Sequence, residues 1–465
     1  MYTRVIKNAT IITSQAIFDG DIGITDGRIA AITDNLAGQE VIDASGKYVL
    51  PGGVDPHVHL DMQSGIMTTS DDWHTGTRAA AYGGTTTVID FVEPLFSGQK
   101  LMEAFEARMN QIRSKAVVDY ALHMTICDSE DSTLKQMQKT VECGMPSFKT
   151  YTTYQGFRLD DRDLRKVLSS ARDAHAIVMV HAESDDLIQE AMNQILEKDP
   201  SRVDSFPESR PTIAEVEAVR KVIAIAADVG CPVYFVHIST QKAAEMIQAA
   251  RQGGQAVWAE TCPQYLILDD SYIRTEDFSG AKYICNPPLR SPADSQALWG
   301  MLHDGSIQTI GTDHCAFNFS GQKDLGKQNI FNIPAGLPGI ELRMVLAHTF
   351  GVLKELISLP QWVDSCCTNP ARLFGIYPQK GEIAIGSDAD LVIFDPEPEW
   401  VVHHAALHEN VDYTPYEGLK LKGVVESTFL RGEPLLLEGQ WLDRPASGKF
   451  IEGKEFILSS ELTER

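Results

Sequence analysis

Six residues of this chain carry side chains that could hold a divalent cation or sit beside one: His57, His59, Lys149, His181, His237 and Asp313. The first two stand at His-x-His spacing in the run VDPHVHL, where alternation along an extended strand sends Asp55, His57 and His59 to one face. Of the others, Lys149 is carried by the apolar, β-rich run SFKTYTT, whereas His181 in IVMVHAE, His237 in PVYFVHIS and Asp313 in IQTIGTDHC come at the ends of theirs. A lone histidine at a strand end is ordinarily packed or solvated. Four at the same end of three strands point to one purpose, and imidazole with carboxylate suits a divalent metal. Lys149 is the odd member, because an ammonium among such imidazoles opposes a cation; it could instead reach the rim and pair with a carboxylate. Asp90, Glu183 and Glu260 are placed either to orient ligand histidines or to make ordinary rim ion pairs.

The remaining histidines read as structural. His123 and His348 fall in apolar segments and should be packed, His403 and His404 should be solvated, and His74 belongs to a helix opening with SDDWHTG. His314 follows Asp313 and should point to the opposite face. Gly83-Gly84 lacks the spacing of a phosphate-binding fingerprint.

These residues need a frame that brings distant strand ends together. Apolar strands alternate with helix-length segments through the middle of the chain, the pattern of βα units and a parallel sheet. Eight strands are expected, at 47–60, 85–91, 118–126, 147–153, 177–183, 232–239, 256–262 and 307–315. Eight βα units close an α/β barrel, a (β/α)8 fold whose reactive residues come from the C-terminal strand ends. Short alternating segments with turns fill residues 1–50, with Asp26-Gly27 at one turn, and return at 376–441, so both termini should build one small β-sandwich. The barrel then spans 51–375, and the polar segment 442–465 reads as a C-terminal arm, a candidate to reach a neighbouring subunit.

Composition agrees with a folded protein: 465 residues, 43% hydrophobic and 22% charged, leave ample material for a core. A formal net charge of −24 repels phosphate backbones and anionic membranes, so nucleic acid is not an expected partner. The N-terminus lacks a secretory h-region, and no stretch offers ~18 apolar residues without charge. The expected location is cytoplasmic. Eight cysteines without a CxxC pair, mostly in apolar runs, argue against a disulfide framework.

The constellation resembles the amidohydrolase superfamily, and within it the dihydropyrimidinase/hydantoinase group of cyclic amidohydrolases. The motifs are PGGVDPHVHLDM, GTRAAAYGGTTTVIDF, SFKTYTTYQ, ETCPQYL, NPPLR, GTDHC and GLPGIELRM, joined near the C-terminus by NPARLFG, GEIAIGSDADLVIFDP and YTPYEG. The resemblance implies two divalent ions, usually zinc, in a homotetrameric enzyme. His57, His59 and Asp313 would share one ion, His181 and His237 would hold the other, and Lys149, carboxylated on its amine by CO2, would bridge them. A carbamate is anionic, which removes the difficulty of an ammonium at that place. The resemblance further implies that Asp313 shuttles a proton, that Tyr154 donates to the developing oxyanion, and that positions 286 and 335 line the ring pocket. Relatives commonly have Ser and Asn there, whereas this chain has Asn286 and Ala335, and it reads Ala316 where they have Pro. The expected reaction is opening of hydantoin or dihydropyrimidine rings to N-carbamoyl amino acids. An allantoinase, an imidase and a non-catalytic dihydropyrimidinase-related scaffold are the alternatives. Dihydroorotase is disfavoured, since that group has Arg shortly after His-x-His and this chain has Asp61. Loops carrying Met62, Ile66, Leu95, Phe96 and Phe157 should favour an apolar ring substituent.

Overall fold

The computed structural model describes residues 1–94 and 98–457. Five strands open the chain: β1 (Tyr2–Ile12), β2 (Ile17–Thr25), β3 (Arg28–Thr33), β4 (Gly38–Asp43) and β5 (Tyr48–Pro51). Asp26 and Gly27, both at positive φ (52° and 75°), make the two-residue turn between β2 and β3.

The barrel begins with β6 (Gly53–Val58) and a small hairpin of β7 (Gln63–Ser64) and β8 (Met67–Thr68). There follow α1 (Thr75–Tyr82), β9 (Thr85–Val92), α2 (Leu101–Ile112), β10 (Asp119–Thr125), α3 (Asp131–Glu142), β11 (Ser147–Tyr151), α4 (Asp161–Asp173) and β12 (Ile177–His181). Next come α5 (Asp185–Lys198), α6 (Phe206–Ser209), α7 (Thr212–Val229), β13 (Val233–Phe235), α8 (Gln241–Gln252), β14 (Val257–Thr261), α9 (Pro263–Ile267), α10 (Pro292–His303) and β15 (Thr309–Ile310). Eight of these strands lie parallel in the order β15-β14-β13-β12-β11-β10-β9-β6. The ring closes where Val58 bridges His314 and the His59 N–H donates to the His314 carbonyl at 2.8 Å.

Local sequence explains the elements. All eight residues of β9 are buried, as a parallel strand covered on both faces requires. Helix α4 starts on Asp160, whose carboxylate accepts from the Asp163 N–H, and buries Leu164, Val167, Leu168 and Ala171 along one stripe. Helix α10 carries a capping box between Ser291 and Asp294.

After the barrel, β16 (Leu391–Val401), β17 (Lys420–Leu430), β18 (Glu433–Leu437) and β19 (Gln440–Trp441) join the first five strands in one nine-stranded sheet. Its core unites both ends of the chain, with Ile6, Ile11 and Ile22 packed alongside Leu391, Ile393 and Phe429. The expected strand at 47–60 is divided: Tyr48–Pro51 pairs with β1 and β16, and Gly53–Val58 with β9. The break falls at Gly52, where a Cβ would lie 2.0 Å from the Thr86 hydroxyl.

The polar tail does not extend away over its described length. Gly448 and Ile451 donate to the Ala116 and Tyr120 carbonyls at 2.9 and 2.7 Å, and Ile451 and Phe456 pack with Val54, Met179, Tyr234 and Phe374. A few apolar side chains within a polar segment suffice to dock it. Residues 458–465 lie outside the described residues.

Candidate active site

The six residues converge at the C-terminal rim. His57 lies in β6 and His59 just beyond it, and ligand-capable atoms of His57, His59 and Asp313 lie within 4.8 Å of one another. The Asp313 Oδ1 is 3.2 Å from His57 Nε2 and 3.3 Å from His59 Nε2. His181 ends β12 and presents Nδ1 to His237 Nε2 at 3.0 Å. The two groups adjoin, with the His57 and His237 ring centroids 5.5 Å apart. Lys149, in the middle of β11, is 1% exposed, and its Nζ lies 5.2 Å from the Phe91 ring centroid and 5.0 Å from that of Tyr151. Tyr154, His237 and Asp313 all sit at positive φ (74°, 39° and 51°), an uncommon backbone state held where the strands give way to loops.

Two carboxylates behind the histidines set their orientation. Glu260 faces His57 Nδ1 at 2.7 Å, accepts the His237 main-chain N–H at 3.0 Å, and takes the Tyr234 hydroxyl at 2.9 Å. Glu183 accepts His181 Nε2–H at 2.7 Å and pairs with Arg210. Both are therefore histidine-orienting groups. Asp90 is instead a rim ion pair, holding Arg108 and the Leu60 N–H.

Burial drives the protonation states. It lowers His57 and His237 well below the ordinary imidazole value and also lowers His181, so these rings are neutral and keep a lone pair. Burial pulls the Lys149 amine down to about 8, against the pull of Asp313 and Glu260. Burial alone would raise Asp313, but His57, His59 and Lys149 outweigh it and hold the carboxyl below the usual range. For Glu183, burial is likewise overcome, by Arg210 and by His181, and the carboxyl falls to about 2. Burial pushes Glu260 up to about 8.

This donor set fits divalent cations. With its Nε2–H given to Glu183, His181 aims a lone pair at His237; with its Nδ1–H given to Glu260, His57 aims one at the Asp313 carboxylate. Neutral imidazoles and a carboxylate gathered in one buried place are the nitrogen and oxygen donors a divalent cation takes. The Nδ1 atoms of His59 and His237 are buried with no hydrogen-bond partner among the described residues.

Asp55 does not join the cluster. Its carboxylate accepts from the main chain and hydroxyl of Thr312 at 3.0 and 2.6 Å, because the β6–β9 register shifts between Asp55 and Val58. His123 and His348 are buried on carbonyl partners, His74 and His403 are exposed, and His404 is half-buried against the Val411 carbonyl rather than solvated. His314 faces away, with Nε2 3.1 Å from Asp71. Asp61 is not among the residues lining the site.

A cavity of about 890 Å³ opens over the cluster, lined among others by Tyr154, Asn286 and Ala335. Met62, Ile66 and Phe157 also line it; Leu95 and Phe96 lie outside the described residues. Burial raises the Tyr154 phenol above its ordinary value, so it stays protonated, and the Asn286 side-chain oxygen is buried with no hydrogen-bond partner among the described residues. Three contributors escaped the sequence reading: Glu93 and Arg210, which line the cavity, and Lys323 behind it.

The barrel and its rim of histidines, lysine and aspartate agree with a family profile: that of the Amidohydrolase family matches residues 48–435. The chain belongs to this family. It is 43% identical over 458 residues to a D-hydantoinase of Geobacillus stearothermophilus, covering 98% of this chain and 97% of that one. It is 38% identical to a D-phenylhydantoinase of Escherichia coli O7:K1 over 97% of this chain and 98% of the other. Among solved structures, a dihydropyrimidinase from Brevibacillus agri superposes with a TM-score of 0.95 at 41% identity, over 98% of this chain and all (100%) of that one. Among the described residues, no helix is long and apolar enough to cross a membrane.

Proposed function

We propose that this chain hydrolyses a ring amide of hydantoins and dihydropyrimidines, giving N-carbamoyl amino acids. The observation that carries this reading is the convergence of His57, His59, Lys149, His181, His237 and Asp313 beneath one cavity, in a chain similar along its length to hydantoinases. His57, His59 and Asp313 would hold one divalent ion, His181 and His237 a second, and a carbamate on Lys149 would serve both. Zinc is the expected metal, although nitrogen and oxygen donors also accept Mn, Co or Fe. When bound, such ions supply Lewis acidity, lowering the pKa of water toward ~7 and polarising the scissile carbonyl.

The chain's own residues do the rest. An ammonium cannot attack CO2, but Lys149, brought down to about 8, offers a neutral amine near physiological pH; its nitrogen bonds the CO2 carbon and releases a proton. Asp313, its carboxyl held below the usual range and so ionised, takes the proton of the attacking water and returns it to the ring nitrogen as the C–N bond breaks. The Tyr154 hydroxyl donates to the oxygen on which charge develops. Asn286 and Ala335 line the side of the cavity that would take the planar amide edge of the ring, and Met62, Ile66 and Phe157 suit an apolar substituent. All eight cysteines are free thiols, which supports a reducing, cytoplasmic setting.

The test compares kcat/KM for phenylhydantoin, dihydrouracil and allantoin at one metal loading. Phenylhydantoin is expected to lead. Allantoin ahead by more than tenfold, a difference of ~1.4 kcal/mol in transition-state stabilisation, would overturn the substrate class.

A further inference from the structure

Lys323 is fully buried, 0% exposed, and among the described residues no carboxylate lies within ion-pair distance of it. Burying an amine without a counter-ion is costly, so its partners must repay the cost. They are two main-chain carbonyls: Nζ donates to Ile284 at 3.1 Å and to Pro334 at 2.9 Å. Ile284 stands two residues before Asn286, and Pro334 immediately precedes Ala335; both Asn286 and Ala335 line the cavity. The two segments cannot knit together as an ordinary β-ladder, because Pro287, Pro288 and Pro334 have no N–H to give. One direct bond joins them, from the Gly336 N–H to the Ile284 carbonyl at 3.0 Å. It depends on a close approach, since a Cβ on Gly336, at φ +149°, would lie 2.4 Å from the Cys315 carbonyl. A donor from outside both segments completes the junction.

We propose that Lys323 is a positioning residue for ring recognition: by holding the Ile284 and Pro334 carbonyls it sets the spacing between the segment bearing Asn286 and the segment bearing Ala335. It is not itself among the residues lining the cavity, so it acts through them. Burial also brings its amine down to about 7, and either protonation state keeps the two N–H groups the two carbonyls need. Removing the donors leaves the Pro334 carbonyl without its partner and the Ile284 carbonyl with the Gly336 N–H alone, and frees the spacing of the rim, which weakens ring binding and spares the distant metal ligands.

This inference rests on the cyclic-amide reading above. Its test is the steady-state kinetics of Lys323→Met and Lys323→Gln on phenylhydantoin, with turnover expressed per metal-loaded chain. Met fills the space without a donor; KM should rise about tenfold with kcat within twofold of the parent. Gln keeps two N–H donors and should show a smaller rise than Met. KM within twofold of the parent in Lys323→Met overturns the inference, as does a fall in kcat at unchanged KM, which is the mark of a merely structural residue. If Lys323→Met does not fold, Lys323→Gln decides alone: a rise in KM of threefold or more at constant kcat supports the role, and any other result overturns it. A parent protein unable to open phenylhydantoin or dihydrouracil defeats the underlying reading, whereas an active parent with an unmoved KM in the variants defeats this inference alone.

Discussion

The Arg210 guanidinium lies 5.0 Å above the centroid of the Tyr154 ring while pairing with Glu183, the carboxylate that orients His181. One residue thus joins the proposed oxyanion donor to a proposed metal ligand. A desolvated cation over an aromatic ring is worth up to ~2 kcal/mol, and breaking a buried ion pair by removing one partner costs ~3–5 kcal/mol. Arg210→Met should therefore lose metal and at least ~10² in kcat together. Tyr154→Phe should keep its metal and lose ~10² to 10³ in kcat. Metal analysis alongside kcat separates the two, and a Tyr154→Phe enzyme with normal turnover would remove the hydroxyl from the mechanism.

Lys149→Ala should lose metal and activity in parallel, because the proposed bridge disappears while each ion keeps only two or three protein ligands. Short carboxylic acids such as acetate or propionate should restore part of both. Full metal content with normal turnover in this variant would refute the carbamate.

Asp313→Asn should behave differently, since an amide still fills coordination space and cannot carry the proton. Activity is expected to fall by ~10² or more with much of the metal retained. Retention of most of the parental kcat would assign the proton transfer elsewhere.

Lys323 makes a prediction for stability. Its folded-state pKa of about 7 lies below the unfolded lysine value near 10.4, so between these limits the unfolded chain binds the extra proton. Stability from this group therefore rises with pH across that window, by as much as ~1.4 kcal/mol per unit, and the penalty is present in full below pH 7. Lys149 has the same sign and is common to both proteins compared. Urea unfolding of the parent and Lys323→Met between pH 7.5 and 9.5 should give a flatter slope for the variant; parallel slopes would contradict the depressed amine.

The candidate ligands His181, His237 and Asp313 were legible in the sequence because each comes at the end of an apolar run, and a parallel barrel brings every such end to one rim. Glu183 and Glu260 were legible only as candidates, since an ion pair and a histidine partner look alike until the ring nitrogen is placed. Asp55 shared the alternation of His57 and His59, yet a register shift in β6 broke the alternation that the reading assumed. The segment 47–60 looked like one strand because nothing in its polarity marks Gly52 as the point where it changes sheets. Arg210 and Lys323 carried no local signal: Arg210 meets Glu183 across 27 residues of chain, and Lys323 reaches Ile284 across 39. The tail reads as an arm by its polarity, and only the barrel floor beneath Ile451 and Phe456 explains why it stays.

The central claim is that these six side chains assemble a two-metal centre that opens cyclic amides. The most direct measurement is elemental analysis of the purified protein, paired with formation of N-carbamoylphenylglycine from phenylhydantoin before and after chelation. About two divalent ions per chain, with ring opening lost on chelation and regained on reloading, is the predicted result; well under one ion per chain with no ring opening, or ring opening that persists after the metal is removed, would contradict it.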